Sequence, residues 1–193
     1  MRGHLRGPDV GRFHRFARFY DRVMPSADAA ALGRGLAHAD RDVERILDVG
    51  GGTGRATRAL GGATVIDAAE GMVRAAAANG DQSVRGVAEH LPVRDASVDA
   101  VVVVDALHHF ADGDAALREA ARVLRPGGAL VVRDFAPETL RGRALAAAEH
   151  AVGFDSQFYS GDDLSDRCSA VGLTPARPDD GFSYTVAGVK RRD

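Results

Sequence analysis

Three glycines at alternate positions, Gly50, Gly52 and Gly54, follow an apolar run that ends at Val49. Glycine adopts positive φ angles and lets a ligand approach the backbone closely, and the start of a following helix offers unpaired N–H groups to an anion. The loop therefore predicts a site for a phosphate or a carboxylate, although a loop that only turns tightly has the same composition. The dinucleotide pattern is excluded because Arg55 stands where its third glycine belongs, and the chain contains no Gly-Lys-Ser/Thr motif.

Two carboxylates and a thioether accompany this loop. Asp48 lies just before it, and Asp67 ends the next apolar run. A carboxylate at the end of a second parallel strand can accept hydrogen bonds from a ribose diol, although an aspartate before Glu70 also suits a helix start. Met72 is polarisable enough to lie against an adenine, or else it belongs to the core. The functional interpretation of these residues is contact with a nucleoside.

Three candidate proton acceptors, Asp105, His108 and His109, follow the apolar run Val98–Val104. Histidine titrates near neutral pH and suits general base catalysis, but a histidine pair also caps a helix or packs against a cofactor. We favour His109 as the base, with Asp105 as the second candidate catalytic residue, and expect His108 to line a cofactor pocket. A metal site built from His108, His109 and Asp112 is the weaker alternative, and we predict no metal.

Apolar runs alternate with helical segments from Val43 onwards, and the connections are short. This alternation predicts a doubly wound, mainly parallel α/β sheet, which binds its ligands at the carboxyl ends of the strands. Two helices, Arg12–Val23 and Ala27–Ala39, are predicted before it. We therefore expect a helical lid over residues 1–42 and a core over residues 43–193, within one compact domain.

The predicted core elements alternate along the chain. Pro126–Gly128 is expected to end the third of the core helices, and Ser160 to cap the last. The predicted strands are Arg45–Val49, Ala63–Ile66, Ser83–Val87, Val98–Val104, Ala129–Arg133 and a hairpin of Leu173–Arg177 and Phe182–Val189; the predicted helices are Thr53–Leu60, Glu70–Ala78, Asp112–Leu124, Pro137–Val152 and Gly161–Val171.

The composition excludes several classes of protein. The chain has 193 residues, a formal net charge of -2 and a single cysteine, Cys168. One cysteine rules out an internal disulfide framework and a multi-cysteine metal site, and the net charge gives no sign of nucleic-acid binding. No apolar run approaches the roughly 20 residues of a membrane helix, and the N-terminus lacks the apolar core of a signal peptide. We expect a cytoplasmic protein that does not bind nucleic acid or insert into a membrane.

Four motifs in order resemble those of class I S-adenosylmethionine-dependent methyltransferases, with the ubiquinone/menaquinone biosynthesis group as the nearest in character. They are ILDVGGGTG (Ile46–Gly54), VIDAAEGMV (Val65–Val73), GVAEHLPVRDASVDAVVVVDALHHF (Gly86–Phe110) and RVLRPGGALVV (Arg122–Val132), and FYDRVMP (Phe19–Pro25) resembles the end of that group's N-terminal helix. The resemblance implies a Rossmann-like fold with seven mainly parallel strands and an antiparallel last strand.

The resemblance also implies the cofactor, S-adenosyl-L-methionine, and residues that bind it. The three loop glycines would line its methionine part, and Asp48 would orient its ammonium group. Asp67 would bind the ribose, and Met72 would touch the adenine. The rest of the implied cofactor-binding set consists of Ala68, of Ala88 and Glu89 beside the adenine, of Asp105 and Ala106 at the methionine end, of His108, and of Tyr20 as a closing residue.

One position departs from the family pattern. Val87 stands where the family often has an aspartate that accepts from the adenine amino group, so Glu89 or backbone groups would have to replace it. Aromatic residues at 135, 154, 158 and 159 either shape a pocket for an aromatic or lipidic acceptor or only pack its roof.

The predicted function is methyl transfer to a small organic acceptor by in-line displacement. The alternative is a non-catalytic S-adenosylmethionine-binding sensor or partner protein, and the oligomeric state is left open.

Overall fold

A computed structural model describes residues 10–11 and 26–192 of the protein. The predicted helix Arg12–Val23, the Phe19–Pro25 motif and Tyr20 lie outside the described residues. Among the residues that are described, no helix combines the length and the apolar character needed to cross a membrane.

Seven strands and six α-helices make up the described fold. The strands are β1 (Ile46–Val49), β2 (Thr64–Asp67), β3 (Gln82–Arg85), β4 (Val98–Val104), β5 (Leu124–Phe135), β6 (Leu173–Asp179) and β7 (Ser183–Lys190). The helices are α1 (Ala29–Leu36), α2 (Arg55–Ala59), α3 (Glu70–Ala78), α4 (Gly113–Val123), α5 (Leu140–Ala151) and α6 (Gly161–Ala170), and a 3₁₀ turn spans Leu107–His109.

All seven strands form one sheet in the order β3-β2-β1-β4-β5-β7-β6. The pairs from β3 to β5 are parallel, and β7 runs antiparallel to both β5 and β6. The predicted fold class, with its antiparallel last strand, is confirmed. The order reverses between β1 and β4, and that junction is where open α/β sheets bind ligands.

The interior of the sheet explains why β4 forms its centre. Its residues Ala100, Val101 and Val102 have no exposed surface, and Leu130 and Val131 of β5 are equally buried. A strand covered on both faces is predominantly apolar, as the run Val98–Val104 predicts, and the buried Asp99 near its start is the one charged residue in it. Four helices begin at a side chain that accepts from a backbone N–H of the first turn, and these are Asp28, Asp112, Thr139 and the predicted cap Ser160.

Two predicted boundaries are wrong. Pro126–Gly128 does not separate α4 from the next strand, because β5 already begins at Leu124, which pairs with Val98. The register shifts between Val98 and Ala100, and a Cβ on Gly128 would lie only 2.7 Å from the carbonyl oxygen of Asp99. The Pro-Gly-Gly segment is therefore an irregular start of the strand, closely packed on its neighbour. The third strand ends at Arg85, and Val87 instead forms an isolated bridge with His90.

Helix α1 packs its apolar side on the sheet. Leu32 is fully buried in a cluster with Val102 and Val131. A Cβ on Gly35 would lie 2.5 Å from Val131 Cγ1, whereas a Cβ on Gly33 would meet nothing within 4 Å. Gly35 is the residue that allows the helix to lie this close to β5.

Replacing Gly33 or Gly35 of α1 with alanine tests this contact. Both changes improve helix propensity equally, but only the new methyl group at position 35 would meet Val131. Gly35→Ala should lower the free energy of unfolding by about 1–3 kcal/mol through overpacking. Gly33→Ala should raise it by about 0.5–1 kcal/mol, since alanine is the better helix former. Urea denaturation of both variants measures the difference. Equal stabilisation by both would contradict the packing of α1 against Val131.

Candidate active site

A pocket opens at the carboxyl ends of the strands, beside the junction of β1 and β4. Its wall combines the loop after β1 with the segments after β2, β3 and β4. The predicted site residues that line it are Gly50, Gly52, Asp67, Ala68, Met72, Ala88, Glu89, Asp105, Ala106 and His109. The structure thus brings together residues that lie up to 59 positions apart, because parallel strands end at the same edge of the sheet.

The glycine loop needs glycine for two different reasons. Gly50, Gly52 and Gly54 have φ angles of 69°, 57° and 86°, a region that other residues rarely adopt. A Cβ on Gly50 would lie 2.8 Å from that of Ala106, and one on Gly52 would meet only Met72 Sδ, at 3.9 Å. Gly52 therefore presents bare backbone to the pocket. Gly54 is the N-cap residue of α2, and a Cβ on it would meet Asp81 instead of pointing into the pocket.

Asp67 is fixed at the edge of the pocket by two backbone groups. The N–H of Gly52 donates to Oδ2 at 3.0 Å, and the N–H of Ala69 donates to Oδ1 at 2.8 Å. Burial raises the pKa of Asp67 above its usual range, although both hydrogen bonds oppose this shift. The carboxylate thus joins the glycine loop to the end of β2, in the place where a ribose diol was predicted.

Asp48 lies behind the loop with one oxygen left over. It has no exposed surface, and its Oδ2 accepts from the hydroxyl and the N–H of Thr57 at 2.8 and 3.1 Å. Its Oδ1 has no hydrogen-bond partner among the described residues. Asp48 also lines a narrow second cavity together with Arg55 and the three residues Gly50–Gly52. Burial raises the pKa of Asp48 to about 6, so a cation beside Oδ1 would relieve a strained charge.

Asp105 has the strained backbone that often marks a functional position. Its φ angle is 51°, uncommon for a residue other than glycine. Its Oδ2 lies 3.3 Å from Nη2 of Arg55, at the start of α2. Burial raises the pKa of Asp105, and the nearby charge of Asp134 adds to this effect. Sequence reasoning missed Arg55 as a site residue, although its place directly after the glycine loop was the available signal.

Glu89 lines the pocket and also fastens the loop after β4. Its Oε1 accepts from the N–H groups of Ala111 and Asp112 at 2.9 and 3.3 Å. Val87, the departure from the family pattern, lines the same wall. Six more lining residues were not predicted, and these are Val10, Ile66, Ala69, Gly86, Phe110 and Ala111. Phe110 follows His109 directly and carried the same strand-end signal, whereas Val10 is far away in sequence and no pattern pointed to it.

His108 does not line this pocket. It is buried, with Nδ1 2.6 Å from Oδ1 of Asp134 and Nε2 3.7 Å from Oε1 of Glu149. Its ring stacks on that of Phe158 at 4.4 Å. Burial by itself would lower the pKa of His108, but the charges and hydrogen bonds of Asp134 and Glu149 outweigh it and raise the pKa to about 10. His108 is therefore an imidazolium held between two carboxylates at neutral pH.

His109, unlike His108, lines the pocket. Its ring centroid lies 4.1 Å from that of His108 and 5.2 Å from that of Phe154. The possible metal ligand atoms of His108, His109 and Glu149 lie within 4.8 Å of one another. Asp112, the third ligand considered from the sequence, is instead the N-cap of α4.

The aromatic residues considered for an acceptor pocket pack against other rings and in the core. Phe135 contacts Phe182 and His108, while Phe154 and Phe158 contact the two histidines. Tyr159 is buried beneath Arg167, whose guanidinium lies 4.8 Å from the ring centroid. None of the four is among the residues that line the main pocket. Three of them, Phe135, Phe154 and Phe158, pack against the histidine pair.

Residues 47–132 match the family model described as a methyltransferase domain. This part of the chain is similar to a methyltransferase domain. The match starts in β1 and ends in β5, so it contains the glycine loop, Asp67, Asp105 and both histidines.

Known proteins similar to the chain extend this finding. A demethylmenaquinone methyltransferase of Mycolicibacterium vanbaalenii is 40% identical over 130 residues, which are 60% of this chain and 57% of that protein. The chain spans about half the length of the curated relatives that it matches. The sequence resemblance to this group of methyltransferases is confirmed.

Solved structures share the fold of the methyltransferase domain. A methyltransferase of Thermotoga maritima, described as a possible histamine N-methyltransferase, has a TM-score of 0.79 at 24% identity and covers 94% of this chain and 99% of its own. An O-methyltransferase from neocarzinostatin biosynthesis, in complex with S-adenosyl-L-homocysteine and 1,4-dihydroxy-2-naphthoic acid, has a TM-score of 0.61 at 23% identity over 94% of this chain and 56% of that one.

The buried pair of His108 and Asp134 generates a prediction for stability. Asp134→Asn should lower the free energy of unfolding by about 3–5 kcal/mol at neutral pH, because it leaves a buried imidazolium short of a partner. A histidine whose folded pKa is raised stabilises fully below its unfolded value of 6.5, and this contribution is lost as the pH rises through about 10. The cost of the substitution should therefore shrink as the pH rises from 6.5 to about 10, and it should be smallest above that value.

Urea denaturation at neutral and at alkaline pH measures both effects. Asp114→Asn is the control, because its partner Arg167 is near the surface and an exposed pair contributes at most about 1 kcal/mol. A cost of Asp134→Asn that does not change with pH would contradict the ionised state of His108.

Proposed function

We propose that this protein transfers the methyl group of S-adenosylmethionine to a small, hydroxylated, fused-ring aromatic compound. The observation that carries the proposal is the pocket at the junction of β1 and β4, which joins bare glycine backbone, Asp67, Met72 and Asp105 in one wall. When bound, S-adenosylmethionine supplies an electrophilic methyl group on a positively charged sulfur.

The residues of the pocket suit the parts of this cofactor. Asp67 presents its carboxylate beside Ala68 and Met72, where the adenosine would be held. The orphaned Oδ1 of Asp48 suits the ammonium group of the methionine end. Gly52 leaves room for the part of the cofactor between the adenosine and the ammonium group, since a side chain there would project into the pocket toward Met72. These residues thus fit an adenosyl amino acid, with apolar surface for the adenine ring and carboxylates for the polar ends.

The electrostatics of the pocket favour a cationic ligand. Burial raises the pKa of Asp48, Asp67 and Asp105, so each carboxylate is costly to ionise without a positive partner. Among them, Asp105 has the Arg55 guanidinium beside it. A ligand that carries an ammonium and a sulfonium would offset the remaining negative charge. The wall around Phe110 and Val10 is apolar and would keep water from the reacting atoms.

His109 is the proposed base. It lines the pocket next to Ala106 and Phe110, at the end of β4 where the methionine end of the cofactor is expected. An acceptor hydroxyl would give up its proton to the His109 ring while its oxygen, or a carbon activated by it, attacks the methyl group. The methyl–sulfur bond would break in the same step, and its electron pair would stay on the sulfur of the departing S-adenosylhomocysteine. Orientation of the two reactants in one pocket contributes roughly 7–11 kcal/mol at best.

The proposed acceptor class rests on two related proteins. One is named for demethylmenaquinone, and the other was crystallised with 1,4-dihydroxy-2-naphthoic acid. We infer from both a flat fused ring with oxygen substituents. The apolar Phe110 beside His109 offers a ring surface next to a proton acceptor, which suits such a compound.

Asp67 provides a direct test of cofactor binding. Asp67→Ala should weaken the binding of S-adenosylhomocysteine by about 1–3 kcal/mol, because hydrogen bonds to a charged group are lost. Isothermal titration calorimetry measures the change, with Asp114→Asn as a distant control. Unaltered affinity in Asp67→Ala would remove Asp67 from the cofactor site.

Transfer itself is tested with methyl-labelled S-adenosylmethionine and 1,4-dihydroxy-2-naphthoic acid or a reduced short-chain demethylmenaquinone. We expect labelled product from the unaltered protein, and a rate about 10²–10⁴-fold lower in His109→Asn with S-adenosylhomocysteine binding retained. His38→Asn, at an exposed position after α1, is the control. Firm cofactor binding without transfer to any acceptor would make the protein a binding module and not an enzyme.

A further inference from the structure

Three side chains with atoms that can ligate a metal ion converge beside the active-site pocket. His108 and His109 belong to the 3₁₀ turn after β4, and Glu149 belongs to the last turn of α5. Each offers one nitrogen or oxygen atom, and these three atoms lie within 4.8 Å of one another. Glu149 thus takes the place that the sequence had suggested for Asp112, which is the N-cap of α4. We call these three residues the His-His-Glu cluster.

The spacing of one pair in the cluster is already close to that of a metal site. Nε2 of His108 lies 3.7 Å from Oε1 of Glu149. Two ligands that bind zinc tetrahedrally, each at about 2.0–2.1 Å, stand about 3.4 Å apart. An ion bound by this pair would therefore require a movement of only a few tenths of an ångström. Two histidines and one glutamate, with water at the fourth position, are also a recurrent ligand set of zinc.

His108 has the additional partner that is typical of a metal-binding histidine. Its Nδ1 lies 2.6 Å from Oδ1 of Asp134, in β5. Histidines that ligate a metal almost always donate their other ring N–H to a carboxylate, a carbonyl or water, which fixes the orientation of the ring. Asp134 therefore holds the ring from one side and leaves Nε2 facing Glu149 on the other. This contact is a second observation, independent of the convergence of the three ligand atoms.

The charges around His108 suit a divalent cation. The carboxylates of Asp134 and Glu149 flank its ring, and the His108 side chain is only 1% exposed. The proton of the imidazolium offsets part of this negative charge. Coordination needs a nitrogen without a proton, so a metal ion would displace this proton to solvent and bring two positive charges in place of one.

The third ligand gives the cluster access to the active-site pocket. His109 lines that pocket, whereas His108 is buried behind it. Ser156 Oγ lies 3.3 Å from Nδ1 of His109, and the Ser156 hydroxyl donates to Oε2 of Glu149. A metal ion that enters through the pocket would exchange hydrogen bonds of this kind for coordination bonds.

We propose that the His-His-Glu cluster binds one divalent transition-metal ion of the Zn²⁺ type, and that the bound ion inhibits methyl transfer. Imidazole ligands favour such an ion over Mg²⁺ or Ca²⁺, which prefer oxygen ligands. The inhibitory effect rests on the proposed function, in which His109 is the base. A histidine that binds a metal through one nitrogen carries its proton on the other, so neither nitrogen would accept the proton of an acceptor hydroxyl.

Calorimetric titration of the intact protein with ZnCl₂, without cofactor or acceptor, tests the site. We expect one equivalent to bind. Glu149→Gln and His109→Asn should each weaken binding at least about tenfold, since even residues that only orient a metal ligand contribute about 10–100-fold. His150→Asn is the matched control, because His150 is exposed and directly follows Glu149. We expect this control to bind Zn²⁺ like the unaltered protein.

Three calorimetric outcomes would overturn the site. They are no binding, an affinity that neither Glu149→Gln nor His109→Asn changes, and binding that is lost only in His150→Asn, which would assign the ion to the surface. S-adenosylhomocysteine affinity, measured in parallel, shows that each variant is folded.

Cobalt provides a second readout that does not depend on activity. Co²⁺ absorbs visible light strongly in a four-coordinate site and weakly when six ligands surround it, as at a surface. We expect the strong bands in the unaltered protein and in His150→Asn, and their loss in Glu149→Gln. Weak bands in the unaltered protein would contradict a site built from the three side chains.

The effect on transfer is tested with methyl-labelled S-adenosylmethionine at a Zn²⁺ concentration that calorimetry shows to be saturating. We expect the rate to fall about 10²–10⁴-fold, the usual contribution of a general base, and to recover when a chelator is added. An unchanged or higher rate with the ion bound would overturn the inhibitory role. Failure of the proposed function would appear separately, as absence of transfer without Zn²⁺, and would leave the calorimetric and cobalt results unchanged.

Discussion

The buried contact between His108 and Asp134 is the interaction on which the site most depends. It joins the segment after β4 to β5 at the edge of the sheet where the pocket opens. One imidazolium between Asp134 and Glu149 also fastens helix α5 over that edge. Loss of either carboxylate would leave a buried charge without its partner, which is among the most destabilising changes in a protein interior. The position of His109, the next residue, is set by this contact.

A second theme is negative charge that is held ready for a ligand. Asp48, Asp67 and Asp105 come from the ends of three different strands and meet around the glycine loop. Backbone N–H groups, Thr57 and Arg55 satisfy most of their oxygens, yet burial still raises the pKa of all three. Such carboxylates stabilise the folded protein little by themselves. A cationic ligand, as proposed above, would offset the cost of ionising them.

The glycines and the strand ends show how far local pattern reaches. The alternation of apolar runs with helical segments predicted every strand of the sheet, and the run Val98–Val104 matched its strand at both ends. The Pro-Gly-Gly segment was misread, because its effect depends on the close approach of Gly128 to Asp99, a contact between two strands. In the same way, Gly33 and Gly35 are equivalent in sequence, and only Val131 makes them different.

The sequence by itself predicted the fold and the glycine loop, because apolar periodicity and glycine spacing are local properties that each segment carries. The family entered separately, as a resemblance of four motifs in order. The sequence also named ten of the residues that line the pocket, since strand ends must meet at one edge of a parallel sheet. Only the tertiary structure decided the place of His108, which was expected in the cofactor pocket and is instead buried beside Asp134. Asp134 and Glu149 lie 26 and 41 positions beyond His108. Their negative charges stabilise the buried His108 ring as a cation, whereas the His109 ring lines the pocket. Electrostatic environment in a protein interior is a property of packed neighbours, and no local pattern encodes it.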